Sequence, residues 1–525
     1  MTAPASSGDN CTAQSSPAAT EVYCIYGAEP EVQAYAMAKY SRSALSMKES
    51  LAELNEQKAE KFLNTFYFQY GHRSIADLAH VAMAIERLSL LAATMVVDES
   101  RWDGQERSTR YQDFQKSGHY TPEFADAAEL QLYEESIGHL FAEYDRFSEL
   151  SFQALRERTP RPAAMTPEAY ERTLRARAFD ISRYLLPLAT NTSLGQIVNA
   201  RTLETQIARL LGSPYAEVRQ LGESMKQAAR GAAWDVNAAA RQKLVEAIAE
   251  KDAALAEEAR SQLLRETRVS PTLVKYAEPS AYELASRREL HQAASELMRG
   301  QAIAPAPQVD LIDDEPLEIE LATTLLYEHS NYSYRQLREA VAALGQQARE
   351  EIVDLGMRHR GKHDELLRAY SAGQRFRFDI LMDIGAYRDL HRHRRCTQIH
   401  QEYGFAHGFD TPREIVEAGH GEAYAAVMHR AAEAGGQLAA RLAARGESAH
   451  AAHYLIPLAY RKRTLFKMDL AEAVYITELR TGTGGHWSYR NVAYQMYEKV
   501  AERHPTLARY FRVTDVRQPI DLLQR

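Results

Sequence analysis

Apolar positions recur with helical spacing through most of the chain. In "AAELQLYEESIGHLFAEYDRFSEL" (127–150), Leu130, Leu132, Tyr133, Ile137, Leu140, Phe141, Tyr144 and Phe147 fall on one broad stripe, which predicts a long amphipathic helix. "RQKLVEAIAEKDAALAEEARSQLLRETR" (241–268) is rich in Ala, Glu, Lys and Leu and predicts a second long helix with a solvated, charged face. Strand-like alternation is rarer and short. The expected class is α+β and helix-rich. "GQAIAPAPQVDLIDDEPLE" (300–318) interrupts the pattern with prolines and an acidic cluster and reads as a linker between two large halves.

Those halves look like copies. "SRYLLPLATNTSLGQIVNARTL" (182–203) and "AHYLIPLAYRKRTLFKMDLAEA" (452–473) share one frame. The spacing from Arg183 to Asn199 equals that from His453 to Asp469, and the spacing from Pro187 to Arg201 equals that from Pro457 to Ala471. Upstream, Asp98 is as far from Tyr111 as Arg392 is from Phe405. A Thr-Pro pair follows in each copy, at Thr121-Pro122 and Thr411-Pro412. Agreement at several places favours internal duplication, and duplicated halves normally pack about a pseudo-twofold axis.

Composition narrows the class. A chain of 525 residues exceeds one ordinary core, and 45% hydrophobic with 26% charged content describes a globular protein. The formal net charge of −8 argues against a general nucleic-acid binder, so local basic clusters carry more information. Cys11, Cys24 and Cys396 are too few for a disulfide framework or a four-thiolate zinc site, which fits a reducing cytoplasm. No apolar run is long enough to cross a bilayer. Residues 1–20 lack the basic and apolar regions of a signal peptide and read as a disordered tail.

Two stretches carry candidate chemistry. "DLHRHRRCTQIHQEYGF" (389–405) crowds three arginines and two histidines into His391–Arg395. Arg392, His393 and Arg394 cannot all face one way on a helix or strand, so a fan of side chains around a polyanion is one reading. A solvated charge run, RNA contact, and metal binding through His391, His393 and His400 are others. Metal is the weakest of these, because arginines beside the ligands oppose a dication. "ERSTRY" (106–111) offers a carboxylate, two hydroxyls and an arginine, groups that suit a nucleotide but also occur in turns. "YGHRSIADLAH" (70–80) adds His72 and His80.

Taken together, these residues resemble the flavin-dependent thymidylate synthases (ThyX). That family has an R-H-R-x-x-S-x-x-E-x-S-x-R-Y signature, an upstream G-H-x-S/T-x-x-E-H-type segment, and a downstream helix reading N-x-R after a buried "LP". The likeness runs over about 30–225 and 320–510 and implies two tandem ThyX-like domains, 21–299 and 319–525, forming a pseudo-twofold pair. Each copy keeps only part of the signature. The second has Arg392-His393-Arg394 and Thr397, but His400, Glu402, Gly404 and Phe405 replace E-x-S-x-R-Y. The first has Glu106, Ser108, Arg110 and Tyr111, but Asp98-Glu99-Ser100 replace R-H-R. Asn199 and Arg201 survive in the first copy, where Leu210 takes the later arginine's place; the second has Asp469 and Ala471 but keeps Arg480.

Family members are tetramers whose sites draw the two parts of the signature from different subunits. The resemblance therefore implies one composite site built from Arg392, His393, Arg394 and Arg480 with Glu106, Ser108 and Arg110. The chain would form a homodimer equivalent to the family tetramer. The reciprocal site, Asp98-Glu99-Ser100 with His400-Glu402-Gly404, would be dead or repurposed, since carboxylates there repel anions. The implied reaction is methylation of dUMP at C5, with methylenetetrahydrofolate as carbon donor, reduced FAD as hydride source and NADPH as reductant.

By the same carry-over Arg480 stabilises the pyrimidine anion, and Arg110 and Arg392 hold phosphate. Glu106 and Ser108 contact nucleotide or flavin, and His393, Arg394, Asn199 and Arg201 hold FAD. His72 sits near flavin and folate, with His363 its counterpart. Arg183 keeps a dUMP-contacting arginine that His453 replaces in the other copy, and Asp389 replaces a glutamine that reads dUMP. Methylation of another pyrimidine nucleotide, a different flavin reaction, and a non-catalytic nucleotide- or FAD-binding protein are the alternatives.

Overall fold

A computed structural model describes residues 27–39, 73–312, 316–361, 367–370, 376–509 and 511–523. Its two halves repeat one topology. In the first, β1 (His80–Ser89), β2 (Asp103–Glu106) and β3 (Asn191–Asn199) form an antiparallel sheet of order β1-β3-β2. The second contains β4 (Val309–Leu311), β5 (Phe376–Asp383), β6 (Thr397–His400) and β7 (Arg461–Met468), in the order β4-β5-β7-β6. Apart from β4, β5 stands for β1, β6 for β2 and β7 for β3.

The helix starts repeat as well. Ser89 caps the helix Leu90–Val97 by accepting from Ala92 N–H at 2.9 Å, and Asp383 caps Ile384–Leu390 by accepting from Ala386 N–H at 2.7 Å. Asn199 and Asp469 cap the helices Ala200–Leu211 and Leu470–Thr481, each through the backbone N–H three residues on, at 2.8 Å.

The duplicated Leu-Pro turns form the junction. Leu188 N–H donates to Ile456 O at 2.9 Å, and Leu458 N–H returns to Leu186 O at 3.0 Å. Ala189 N–H reaches Tyr454 O at 3.0 Å, and Ala459 N–H reaches Tyr184 O at 3.1 Å. Pro187 faces Pro457 across this antiparallel bridge. Every contact has its counterpart, which is the signature of an isologous interface. A single apolar core then runs through both halves, with Leu186, Leu188 and Phe147 meeting Leu455, Leu458 and Tyr424.

A polar pair beside the core is repeated with donor and acceptor exchanged. Buried Glu217 accepts from Ser89 Oγ at 2.6 Å and from Tyr454 OH at 3.0 Å, whereas Asp383 accepts from Ser488 Oγ in the second half.

The helix expected over 127–150 is Ala127–Arg158; Tyr133, Ile137, Leu140, Tyr144 and Phe147 are buried as the stripe required, while Leu130 is exposed. It packs along its counterpart, Gly421–Ala444. The helix expected over 241–268 is two, Ala238–Ala249 and Ala253–Leu263. Asp252 causes the break, because its carboxylate accepts from the N–H groups of Ala254 and Leu255 at 3.0 Å and starts a new helix. The stretch read as linker (300–318) holds β4, whose Val309 pairs with Ile380, and the start of the helix Leu317–Tyr327. The expected tail (1–20) lies outside the described residues. Among the described residues no helix is long and apolar enough to cross a membrane.

Leu188→Ala and Leu458→Ala should each cost about 2–5 kcal/mol, by similar amounts, because both are fully buried at equivalent places in one core. Denaturant titration followed by tryptophan fluorescence and circular dichroism should show one transition for both halves. Two separable transitions would mean that the shared core does not couple them.

Candidate active site

The basic cluster sits where the helix Ile384–Leu390 ends and the chain turns into β6. A tight turn spreads its side chains, and each meets a different partner. His391 is buried, with Nδ1 2.9 Å from Gln398 Oε1. His393 is buried between Glu472, 3.4 Å from Nδ1, and Arg480, whose Nε–H donates to His393 Nε2 at 2.7 Å. Arg394 reaches Asp103 at 3.4 Å and lies over the Trp102 ring. Arg395 pairs with Asp469 at 2.9 Å. Arg392 is exposed and has no hydrogen bond or ion pair among the described residues.

The first half approaches from the other side. Glu106, at the end of β2, forms an ion pair with Arg388, one turn before the basic cluster. Ser108 Oγ accepts from Arg110 N–H at 3.2 Å. The Arg110 guanidinium is buried: Nε and Nη2 donate to Asp180 at 2.8 and 3.0 Å, Nη1 to Tyr489 OH at 3.1 Å, and Nη2 to Gly484 O at 3.2 Å. Beside it, Arg183 directs both terminal nitrogens at Asp389 Oδ2, each at 3.2 Å. Thus Glu106 of one half meets Arg388 of the other at a small pocket that Arg392 and Arg394 also line, and Arg110 and Arg183 meet Tyr489 and Asp389 in a buried cluster, all within one polypeptide.

The charge balance there is uneven. Burial would raise the Asp389 carboxyl, but Arg183, Arg110, Arg392 and Arg480 together hold it below the usual carboxylate range. Asp180 is held down in the same way against burial, by His486, Arg110 and Arg183. Burial lowers the His393 imidazole, which favours the neutral ring that accepts from Arg480. Arg480 therefore has Nε fixed and its cation 5.7 Å from the Tyr489 ring. The arrangement can take an anion at Arg392 and a second negative centre at Arg480.

Other expected residues lie elsewhere. His72 and His363 fall outside the described residues. Asn199 spends its side-chain oxygen as a helix cap, and Arg201 pairs with Asp77 at 3.3 Å, both on the first half. His453 does not join Arg183: it faces Tyr215 OH at 2.8 Å from Nδ1, because the pseudo-twofold sends equivalent positions into opposite clefts. Asp180, Arg388, Glu472 and Tyr489 were not singled out from sequence. Arg388 directly precedes the quoted basic stretch, and Asp180 stands three residues before Arg183; their partners are too distant in sequence to be read there.

The reciprocal cleft is a cavity of about 300 Å³ lined by Asp98, His400 and Glu402 among others. Asp98 is neutralised by Arg368 at 2.7 Å and Glu99 by Arg209 at 2.9 Å. Lys462 lies 3.6 Å above the Tyr403 ring, and burial pushes its ammonium down to about 7.

The fold and this cleft define a duplicated α+β protein with a cationic site shared between its halves. The profile of the family described as thymidylate synthase complementing protein matches residues 25–233 and 309–506, and the chain belongs to that family as two tandem copies. A UPF0159 protein of Chlamydia pneumoniae is 26% identical over 532 residues, covering 94% of this chain and 92% of that protein. A UPF0159 protein of Thermoplasma acidophilum is 25% identical over 513 residues, covering 91% and 94%. Among solved structures, a UMP/dUMP methylase PolB from Streptomyces cacaoi bound with 5-Br dUMP is 15% identical. It covers 38% of this chain and 84% of its own, with a TM-score of 0.26.

Lys462 gives a pH signature. Its folded value lies below its unfolded one, so its contribution to stability is complete above about 10.5 and is lost as pH falls to about 7. Relative to Lys462→Met, the native protein should gain stability as pH rises across that window, by at most about 1.4 kcal/mol per unit. Urea midpoints of the two proteins from pH 6 to 10 check this; parallel profiles would refute it.

Proposed function

We propose that the protein is a flavin-dependent thymidylate synthase-like enzyme with one composite site per chain. The reaction is methylation at C5 of a dUMP-like pyrimidine nucleotide, with methylenetetrahydrofolate as carbon donor and NADPH as reductant. One observation carries this reading: Glu106 of the first copy lines one small pocket with Arg392 and Arg394 of the second, inside a chain that matches the family twice.

The donor set suits an anionic cofactor. Arg392 is exposed and unpaired among the described residues, and Arg394 lies against the Trp102 indole, which donates Nε1–H to Gln196 at 2.7 Å and so is fixed in place. Arg392 and Arg394 would hold FAD phosphates. Bound reduced FAD supplies the hydride that completes the methyl group.

The chain's own work is position and charge. Arg480, fixed at Nε by His393, keeps its terminal nitrogens for the negative charge that develops on the pyrimidine, and a cation already in place needs no reorganisation. Ser108 accepts from Arg110 N–H and can donate its hydroxyl proton to a nucleotide oxygen. Arg110 is fully engaged and orders the cleft through Asp180, leaving the phosphate to Arg392.

Asp389 favours a second version, in which the substrate is a pyrimidine other than uracil. Where the family has a glutamine, this chain has a carboxylate already paired to Arg183, and an acceptor-only group rewards a ring edge that donates.

Purified protein should be yellow, and it should release tritium from C5-labelled dUMP when folate and reductant are present. Arg480→Ala should lower release by about 10²-fold or more while flavin stays bound. Arg392→Ala should weaken flavin and nucleotide binding. Protein that binds flavin but releases no label from dUMP rules out dTMP synthesis, and the same assay with labelled cytidine nucleotides tests the second version.

A further inference from the structure

We infer that the reciprocal cavity is a second ligand site, suited to a nucleoside without phosphate: an uncharged heterocycle with a lactam edge, carrying sugar hydroxyls. The inference concerns a different cleft and does not depend on the reaction proposed above.

The cavity has room for one such molecule, at about 300 Å³. Two polar groups in its wall leave hydrogen bonds unmade among the described residues. Gln401, 1% exposed, donates Nε2–H to Tyr332 O at 3.0 Å, which fixes the amide orientation and leaves Oε1 buried with no hydrogen bond. Lys462, also 1% exposed, has its ammonium over Tyr403 and no hydrogen-bond acceptor among the described residues. Buried polar atoms in native proteins are nearly always satisfied, so the orphan Gln401 acceptor, with the Lys462 ammonium free of hydrogen bonds in the same wall, points to a bound molecule. A donor and an acceptor in one wall complement the C=O and N–H of a lactam, and Leu290, Leu325 and Ile399 add an apolar surface against which a ring can lie.

Charge weighs against phosphate. Arg209 and Arg368, the cations that stand nearest the positions of the lost R-H-R motif, are already neutralised by Glu99 and Asp98, which leaves Arg287 as the one lining arginine with no ion pair among the described residues. Glu328 and Glu402 line the cavity with no ion pair among the described residues, and both act on Lys462. Free carboxylates repel a phosphate but accept readily from sugar hydroxyls. The cleft that lost the R-H-R motif thus has the complement of a nucleoside, and the other cleft has that of a nucleotide.

The test is calorimetric titration of the full chain with deoxyuridine, thymidine and dUMP. Arg392→Ala serves as the background that disables the first cleft. In that background at least one nucleoside should bind with one site per chain, and at least tenfold more tightly than dUMP. Lys462→Met and Gln401→Leu, made separately and checked by circular dichroism, should each weaken nucleoside binding tenfold or more without changing dUMP binding by protein with Arg392 intact. No saturable binding of either nucleoside, or binding that both substitutions leave unchanged, overturns the proposal. So does tighter binding of dUMP than of nucleoside in the Arg392→Ala background.

Discussion

Two proline turns pairing backbone to backbone set the geometry of the whole molecule. Tyr184–Ala189 and Tyr454–Ala459 exchange four hydrogen bonds in reciprocal register, which fixes the halves about a local pseudo-twofold axis and merges their cores. That symmetry creates two clefts, each receiving the β2-type turn of one half and the β6-type turn of the other. The backbone is nearly symmetric, but the side chains are not. Duplication followed by divergence therefore had two equivalent places to fill differently.

The cleft between Glu106 and Arg388 concentrates Arg110, Arg183, Arg392 and Arg480 around one aspartate. Cations that close repel, and burying them is costly unless each is paired. Asp180 takes Arg110, Asp389 takes Arg183, and His393 steadies Arg480. Arg392 is left over, exposed and available. Paired charges order the walls and an unpaired one faces the opening, as an anion site requires. In the other cleft Arg209 and Arg368 are consumed by Glu99 and Asp98, and Arg287, a buried lysine and a carboxamide remain instead.

Much of this was legible in the sequence because it rests on local periodicity and spacing. The stripe from Tyr133 to Phe147, the shared frame of the Leu-Pro turns and the split signature can be read without coordinates. Long-range partners could not be read. β7, "RKRTLFKM", hides as a strand because Arg463 and Lys467 look like surface cations, yet Asp379 and Glu320 neutralise them in the core. Asp252 looked like one more charge in a solvated helix, although its carboxylate starts a new one. Arg183 and His453 occupy equivalent positions in their copies, and only the axis between the halves shows that they enter opposite clefts. Asp98 and Glu99 suggested a repulsive site, because nothing in their neighbourhood along the chain announces Arg368 or Arg209.

A cross-link across the composite cleft addresses the account most directly. Glu106→Cys and Arg388→Cys, introduced together and treated in dilute solution with a short bismaleimide, should yield one linked peptide pair within a protein of single-chain mass. Linkage found only between two chains, or none at all in folded protein, would contradict a site made by one chain from its two halves.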